Sequence, residues 1–246
     1  MATAYQNIAK AALMNWNGLS EEEANLKIQN ESVGELDNQV YALGSVKHAV
    51  VGIARQLGLN AEETLAFFDA TVNGPEDAEI LKTVTEKIAG FTEKQKLDVL
   101  AEIHDGWVVD NSSEKTFQKK VDREQLRQYA PIELIGWNEV KSDLLFLEPI
   151  LSSVGVEISE EKLSAAYHER VNKYLEEKQI DSKEKLTELV SKGKTYYDAL
   201  PEELDARLLP MGEIITTQII TNWENKDQET FAIFKSRMEK GIENKL

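Results

Sequence analysis

Three histidines, at positions 48, 104 and 168, are the side chains whose ordinary titration range suits proton transfer or metal binding near neutral pH. Only His104 has an acidic neighbour of chemical interest, in the run Glu102-Ile103-His104-Asp105-Gly106-Trp107. Taken alone, His104 reads as a helix-borne histidine at the core edge or in solvent. His168, in Tyr167-His168-Glu169-Arg170, reads as part of a solvated helix face. Other arrangements that carry chemistry are missing. There is no His-Glu-x-x-His string, no pair of Glu-x-x-His strings, no Gly-x-x-x-x-Gly-Lys or Gly-x-Gly-x-x-Gly loop and no Gly-x-Ser-x-Gly elbow. Asp110-Asn-Ser-Ser-Glu-Lys115 begins like a calcium loop, but Lys115 stands where the turn needs glycine and Val121 where the ion needs a bidentate glutamate. Cysteine is absent, which excludes disulfides, thiolate metal sites and cysteine nucleophiles.

One basic stretch stands out on an acidic chain: Lys115, Lys119, Lys120, Arg123 and Arg127, followed by Tyr129. Trp107, Phe117 and Trp137 are near it in sequence. Cations interleaved with rings could receive a local anion, a nucleotide or an acidic partner. Lys119, Lys120, Arg123, Arg127 and Trp107 are the candidate binding residues. The plainer reading is a charged loop that balances neighbouring acids.

The run Val99–Asp105 resembles the signature of the His-Asp metal-dependent phosphohydrolases. The string from His48 to Leu59 is similar to that family's first helix. The resemblance spans residues 48–143 and implies an all-α fold. It implies His48, His104 and Asp105 as metal ligands, with Asp143 as a downstream candidate. A divalent metal there would activate water against a phosphoester. The 56 residues from His48 to His104 exceed the family's usual spacing. In Glu102–Asp110 and Gln128–Leu151 the chain also resembles helical bacterial proteins of no assigned function, which implies no activity, cofactor or site.

The elements that must position these residues are helices. Gly18-Leu19-Ser20-Glu21-Glu22-Glu23, Gly58-Leu59-Asn60-Ala61-Glu62-Glu63 and Gly90-Phe91-Thr92-Glu93-Lys94-Gln95 share one logic. A glycine closes one helix in the left-handed conformation, and the apolar residue packs back. Ser20, Asn60 or Thr92 then caps the next helix, with Glu23, Glu63 or Gln95 completing a capping box. Ser32–Glu35 and Asp181–Glu184 are further boxes. Apolar residues between the junctions keep helical spacing, as in Val40, Leu43, Val46, Val50, Ile53 and Leu57. The spacing predicts helices over 3–16, 20–30, 33–57, 61–72, 76–89, 93–110, 122–129, 139–153, 160–178, 182–192, 201–222 and 227–244. The fold is therefore expected to be an all-α bundle of ten to twelve helices. Gly34, Gly44 and Gly52 interrupt the long helix and would let a neighbouring helix approach closely. The apolar run Ile132–Leu151 is expected near the centre of one domain over 1–246. The rival is a helical body over 1–154 and a C-terminal module over 155–246.

Charge and hydropathy bound the function. The chain has 246 residues, 44 acidic against 28 basic side chains and a net charge of −16. Its 41% hydrophobic content suffices for a substantial core. The acid is spread along the sequence, with net charges of −7 over 1–90, −4 over 91–153 and −5 over 154–246. That balance opposes direct binding to nucleic acid or to an anionic membrane. No run is apolar enough for a transmembrane helix, and the N-terminal run lacks the basic and apolar regions of a signal peptide. A cytoplasmic location is expected. The residues favour a non-catalytic helical interaction or regulatory protein with another protein as partner, no resident cofactor and an open oligomeric state. The alternatives are the metal-dependent phosphohydrolase and an acidic inhibitor that mimics nucleic acid.

Overall fold

Several helices start where a small polar side chain can satisfy their first free N–H groups. Thr3, Ser20, Ser32 and Asn60 each accept from the backbone N–H three residues on, and Gln6, Glu23, Glu35 and Glu63 reach back to complete the box. Thr92 and Gln95 make the same exchange, at 3.0 and 3.3 Å. These reciprocal bonds use orphan donors at both ends of the box. They also hold Glu23 and Glu35 below the usual carboxylate range, through bonds from the Ser20 side chain and the Ser32 backbone respectively. Gly18 and Gly58 close the preceding helices at φ +69° and +65°, with Leu19 N–H donating to the Leu13 carbonyl and Leu59 N–H to that of Ala54.

This computed structural model describes residues 2–74, 78–109 and 131–198, with Glu229, Ala232 and Ser236 as single positions. Among the described residues there are twelve helices and no strand. They are α1 (Ala4–Asn17), α2 (Glu21–Asn30), α3 (Val33–Val40), α4 (Leu43–Leu57), α5 (Ala61–Asn73) and α6 (Glu79–Ile88). There follow α7 (Glu93–Val109), α8 (Ile132–Ile135), α9 (Trp137–Ser142), α10 (Leu144–Ser153), α11 (Glu160–Glu177) and α12 (Lys183–Asp198). The all-α reading is correct. Among the described residues, no helix is long and apolar enough to cross a membrane. The helices expected over 122–129, 201–222 and 227–244 lie outside the described residues, apart from the three single positions, which are helical.

The helix expected over 33–57 is two helices. The break is at Tyr41, whose backbone is left-handed at φ +49°. Asp37 explains it. Its Oδ1 accepts from the backbone N–H of Ala42 at 2.8 Å and of Leu43 at 2.7 Å, and from the Tyr5 hydroxyl at 3.1 Å. A carboxylate from the end of α3 thus caps the start of α4, where Ala42 has no cap of its own. Burial and the neighbouring Asp37 push the Tyr5 phenol well above its ordinary range, so the hydroxyl stays a donor.

The expected helix over 139–153 is also divided, and the apolar run Ile132–Leu151 forms α8, α9 and α10. Gly136 turns the chain between α8 and α9 at φ +89° and ψ 151°, a region open only to glycine. Asp143 starts α10, its carbonyl accepting from Phe146 and Leu147. Pro149 sits inside α10 and leaves the Leu145 carbonyl without its usual donor. The start of α12 is shifted too. Ser182, not Asp181, accepts from the N–H three residues on, and Asp181 instead pairs with Lys185 at 2.9 Å.

The chain divides into two compact units, each made from two stretches. The first comprises residues 1–106 and 143–160, the second 107–142 and 161–246. The dividing line near residue 155 drawn on the sequence does not separate 107–142 from the N-terminal helices, whereas this grouping does. In the first unit α1 packs against α2, α3, α5 and α10, and α4 against α5, α6 and α10. Its core contains Tyr5, Ile8, Leu13, Leu36, Ile53, Phe67, Ile88, Leu97 and Leu100. Leu147, Ile150 and Leu151 carry α10 into that same core. Deleting any one of these large side chains should cost about 2–5 kcal/mol. In the second unit Leu163, Tyr167, Val171 and Leu175 form the buried stripe of α11.

Candidate functional site

The residues singled out for metal chemistry meet the structure at the seam of α4 and α7, within the first unit. Glycine makes the seam close. A Cβ on Gly52 would lie 3.2 Å from Val99 Cγ1 and 3.3 Å from both Glu102 Cβ and Val99 Cα. One turn earlier on α4, the His48 ring occupies the space a side chain would need at Gly106. A Cβ there would lie 2.2 Å from His48 Cγ and 2.3 Å from Cδ2. His48, Glu102 and Asp105 are all buried. Arg55 Nη1 meets Glu102 Oε2 at 2.6 Å, so the guanidinium holds the buried carboxylate while remaining half in solvent. At the other end of α7, buried Lys96 pairs with Glu93 at 2.9 Å and donates to the Glu157 carbonyl at 3.3 Å.

Helical geometry separates the two histidines. Glu102 and Gly106 both face α4, and His104 is two positions from each, about 200° round the helix. His48 therefore meets one side of α7 and His104 leaves from the other. Asp105 lies next to Gly106, buried, a quarter-turn round. Asp143, the downstream candidate, is half-buried at the start of α10. Among the described residues no group of three or more histidine, aspartate or glutamate side chains could hold a metal ion. Of the candidate binding residues, Lys119, Lys120, Arg123 and Arg127 lie outside the described residues. Trp107 belongs to α7, and its side chain also lies outside them.

The second unit has a buried polar cluster that the sequence did not signal. The Tyr167 hydroxyl accepts from Gly136 N–H at 3.0 Å and donates to the Ile132 carbonyl at 3.1 Å. It thereby satisfies both backbone groups exposed by the turn at Gly136. The Trp137 ring packs tilted on Tyr167, centroids 5.6 Å apart. His168, expected on a solvated face, is only 7% exposed. Its Nδ1 donates to the Ser164 carbonyl at 2.8 Å and lies 3.4 Å from Glu229 Oε1. Arg170 pairs with Glu133 at 2.5 Å. Burial, and then the charge of Glu133, push the Tyr174 phenol above its ordinary range. The one signal available was spacing: Tyr167 is four residues after Leu163 and four before Val171, on one helix face. Through the Tyr167 hydroxyl and the Arg170–Glu133 pair these groups brace α8 and α9 against α11, while the buried Tyr174 hydroxyl makes no hydrogen bond among the described residues.

A third feature lies at the end of α1. Tyr5, Ala9 and Ala12 are buried along one line of the helix, and Trp16 continues that line. Its ring rests on Phe146 of α10, centroids 6.1 Å apart and planes inclined by 54°. Yet Trp16 is 55% exposed, while Phe146 beneath it is buried. Met14, Leu26, Tyr41 and Leu65, also of the first unit, are the other large apolar side chains exposed among the described residues. No protein-family model, no curated protein and no solved structure matches this chain.

Proposed function

We propose that the chain is a non-catalytic helical interaction protein whose first unit makes the contact, with Trp16 at its centre. One observation carries the reading: a tryptophan in line with the buried stripe of α1, on an apolar floor, is left more than half open. Tryptophan is prominent among residues that dominate binding energy, because its area is large and its side chain stiff. Covering the open part of such a ring removes about 130 Å² from water, worth about 3 kcal/mol. That corresponds to about a hundredfold in affinity.

The test compares the wild-type chain with Trp16→Ala, both shown helical by circular dichroism, for proteins that co-purify at matched concentration. A protein held by the wild type and lost from the variant is the expected result. The same set of proteins on both, or no specific protein on either, would overturn the proposal.

A further inference from the structure

We infer that the surface at Trp16 receives a cationic segment of another protein, rich in lysine or arginine and bearing at least one large apolar side chain. This rests on the reading of Trp16 as a contact, and adds the chemistry of what covers it. The argument is charge complementarity. The first unit, residues 1–106 and 143–160, holds 21 acidic side chains against 8 basic ones, a net charge of −13. The second holds 23 against 20, a net charge of −3. Nearly all of the chain's excess charge therefore belongs to the unit that carries Trp16.

The cations of that unit are largely committed within it. Lys10 pairs with Glu21, Lys27 with Glu31, Arg55 with Glu102, Lys87 with Glu63, Lys94 with Asp98 and Lys96 with Glu93. What a visitor meets is the surplus of carboxylates. Glu22 and Glu23 follow Trp16 across the Gly18 turn, both exposed, beside Glu21, which shares its charge with Lys10. A field of that sign accelerates the approach of a cation and repels an anion. A second copy of this unit, an anionic membrane and a nucleic acid are all repelled. The apolar floor of Phe146 under Trp16 supplies what charge alone lacks, a fixed point for one apolar side chain.

The probe is a fluorescently labelled helical peptide of alternating lysine and leucine turns, set against its counterpart with glutamate for lysine. Anisotropy is measured with the full chain at low and high salt, and the chain's mass is followed by sedimentation. The lysine peptide is expected to bind, to weaken roughly tenfold or more with Trp16→Ala, and to weaken with added salt. Glu22→Lys, at an exposed position outside the floor, is expected to weaken it several-fold as a second variant. Equal binding by Trp16→Ala would show charge alone at work, and equal binding of the glutamate peptide apolar contact alone. Either result, no binding at all, or self-association through Trp16 overturns the inference. If the lysine peptide fails while Trp16→Ala still strips a co-purifying protein, the contact stands and only its cationic partner is lost. If both fail, both fall.

Discussion

Gly106→Ala places a methyl carbon 2.2 Å from His48 Cγ, 2.3 Å from Cδ2 and 2.5 Å from Nδ1. Carbon atoms in contact ordinarily stand about 3.5–4.0 Å apart, so the overlap exceeds about 1 Å at three ring atoms. Either the imidazole leaves a place where it is only 3% exposed, or α4 and α7 separate. Overpacking of this kind costs about 3 kcal/mol at its upper range. Alanine is better than glycine inside a helix by about 1 kcal/mol, which acts in the opposite direction. The net expectation is a loss of about 2 kcal/mol, or about 8 °C in Tm for a unit of this size. Urea and thermal unfolding followed by far-ultraviolet circular dichroism measure it. The decisive arm is the double variant. With His48→Ala the ring is gone, and adding Gly106→Ala should then be neutral or stabilising by up to about 1 kcal/mol. The reasoning is refuted if Gly106→Ala stabilises the wild-type chain, or if it costs the same in both backgrounds.

Three further outcomes follow from the geometry. Tyr41→Gly should stabilise the chain by about 1 kcal/mol, because Tyr41 holds a left-handed backbone at φ +49° while its side chain is 74% exposed; an unchanged urea midpoint would count against strain at this turn. Tyr167→Phe should cost about 1–3 kcal/mol, since it leaves Gly136 N–H and the Ile132 carbonyl unpaired in a buried site. Trp137 fluorescence reports that loss, and a neutral result would mean that water replaces the hydroxyl. Ser32 N–H holds Glu35 below its ordinary value of 4.5, so the ionised form belongs to the folded state. Its contribution is whole above that value and is lost as pH falls through the lower folded value. Glu35→Gln should therefore lower the urea midpoint at pH 7, with the deficit shrinking below about pH 4.5; a pH-independent deficit would assign the effect to packing.

Local chemistry was legible and its long-range exceptions were not. Ser20, Ser32, Asn60 and Thr92 cap the helices they were expected to cap, because a capping box needs only residues three apart. Thr3–Gln6 obeys the same rule at the start of α1. The break at Tyr41 could not be seen, since Val40, Leu43 and Val46 keep one helical phase across it. Its cause is Asp37, fixed partly by Tyr5, 32 residues away in sequence. Likewise the apolar run Ile132–Leu151 announces burial but not its division, which depends on Tyr167 reaching Gly136. At the α4–α7 seam the sequence shows a histidine and two glycines. Only the fold shows that the space left by Gly106 is filled by His48, whereas helical spacing alone turns His104 about 200° from Glu102 and Gly106.

Charge follows the same division between local and assembled information. Counted along the sequence, the acid is spread over every third of the chain, which argues only for a solvated surface. Counted over the folded units it concentrates, because the neutral segment 107–142 joins the second unit while the acids of 143–160 return to the first. Neither stretch changes in composition; only its neighbours do. The exposed tryptophan gains its meaning from that grouping. On an evenly charged chain Trp16 would favour no class of partner. On a unit with a charge of −13 it favours a cationic one over a copy of itself, a membrane or a nucleic acid. The salt dependence of binding and its dependence on Trp16 must therefore fail or succeed together, since one surface supplies both.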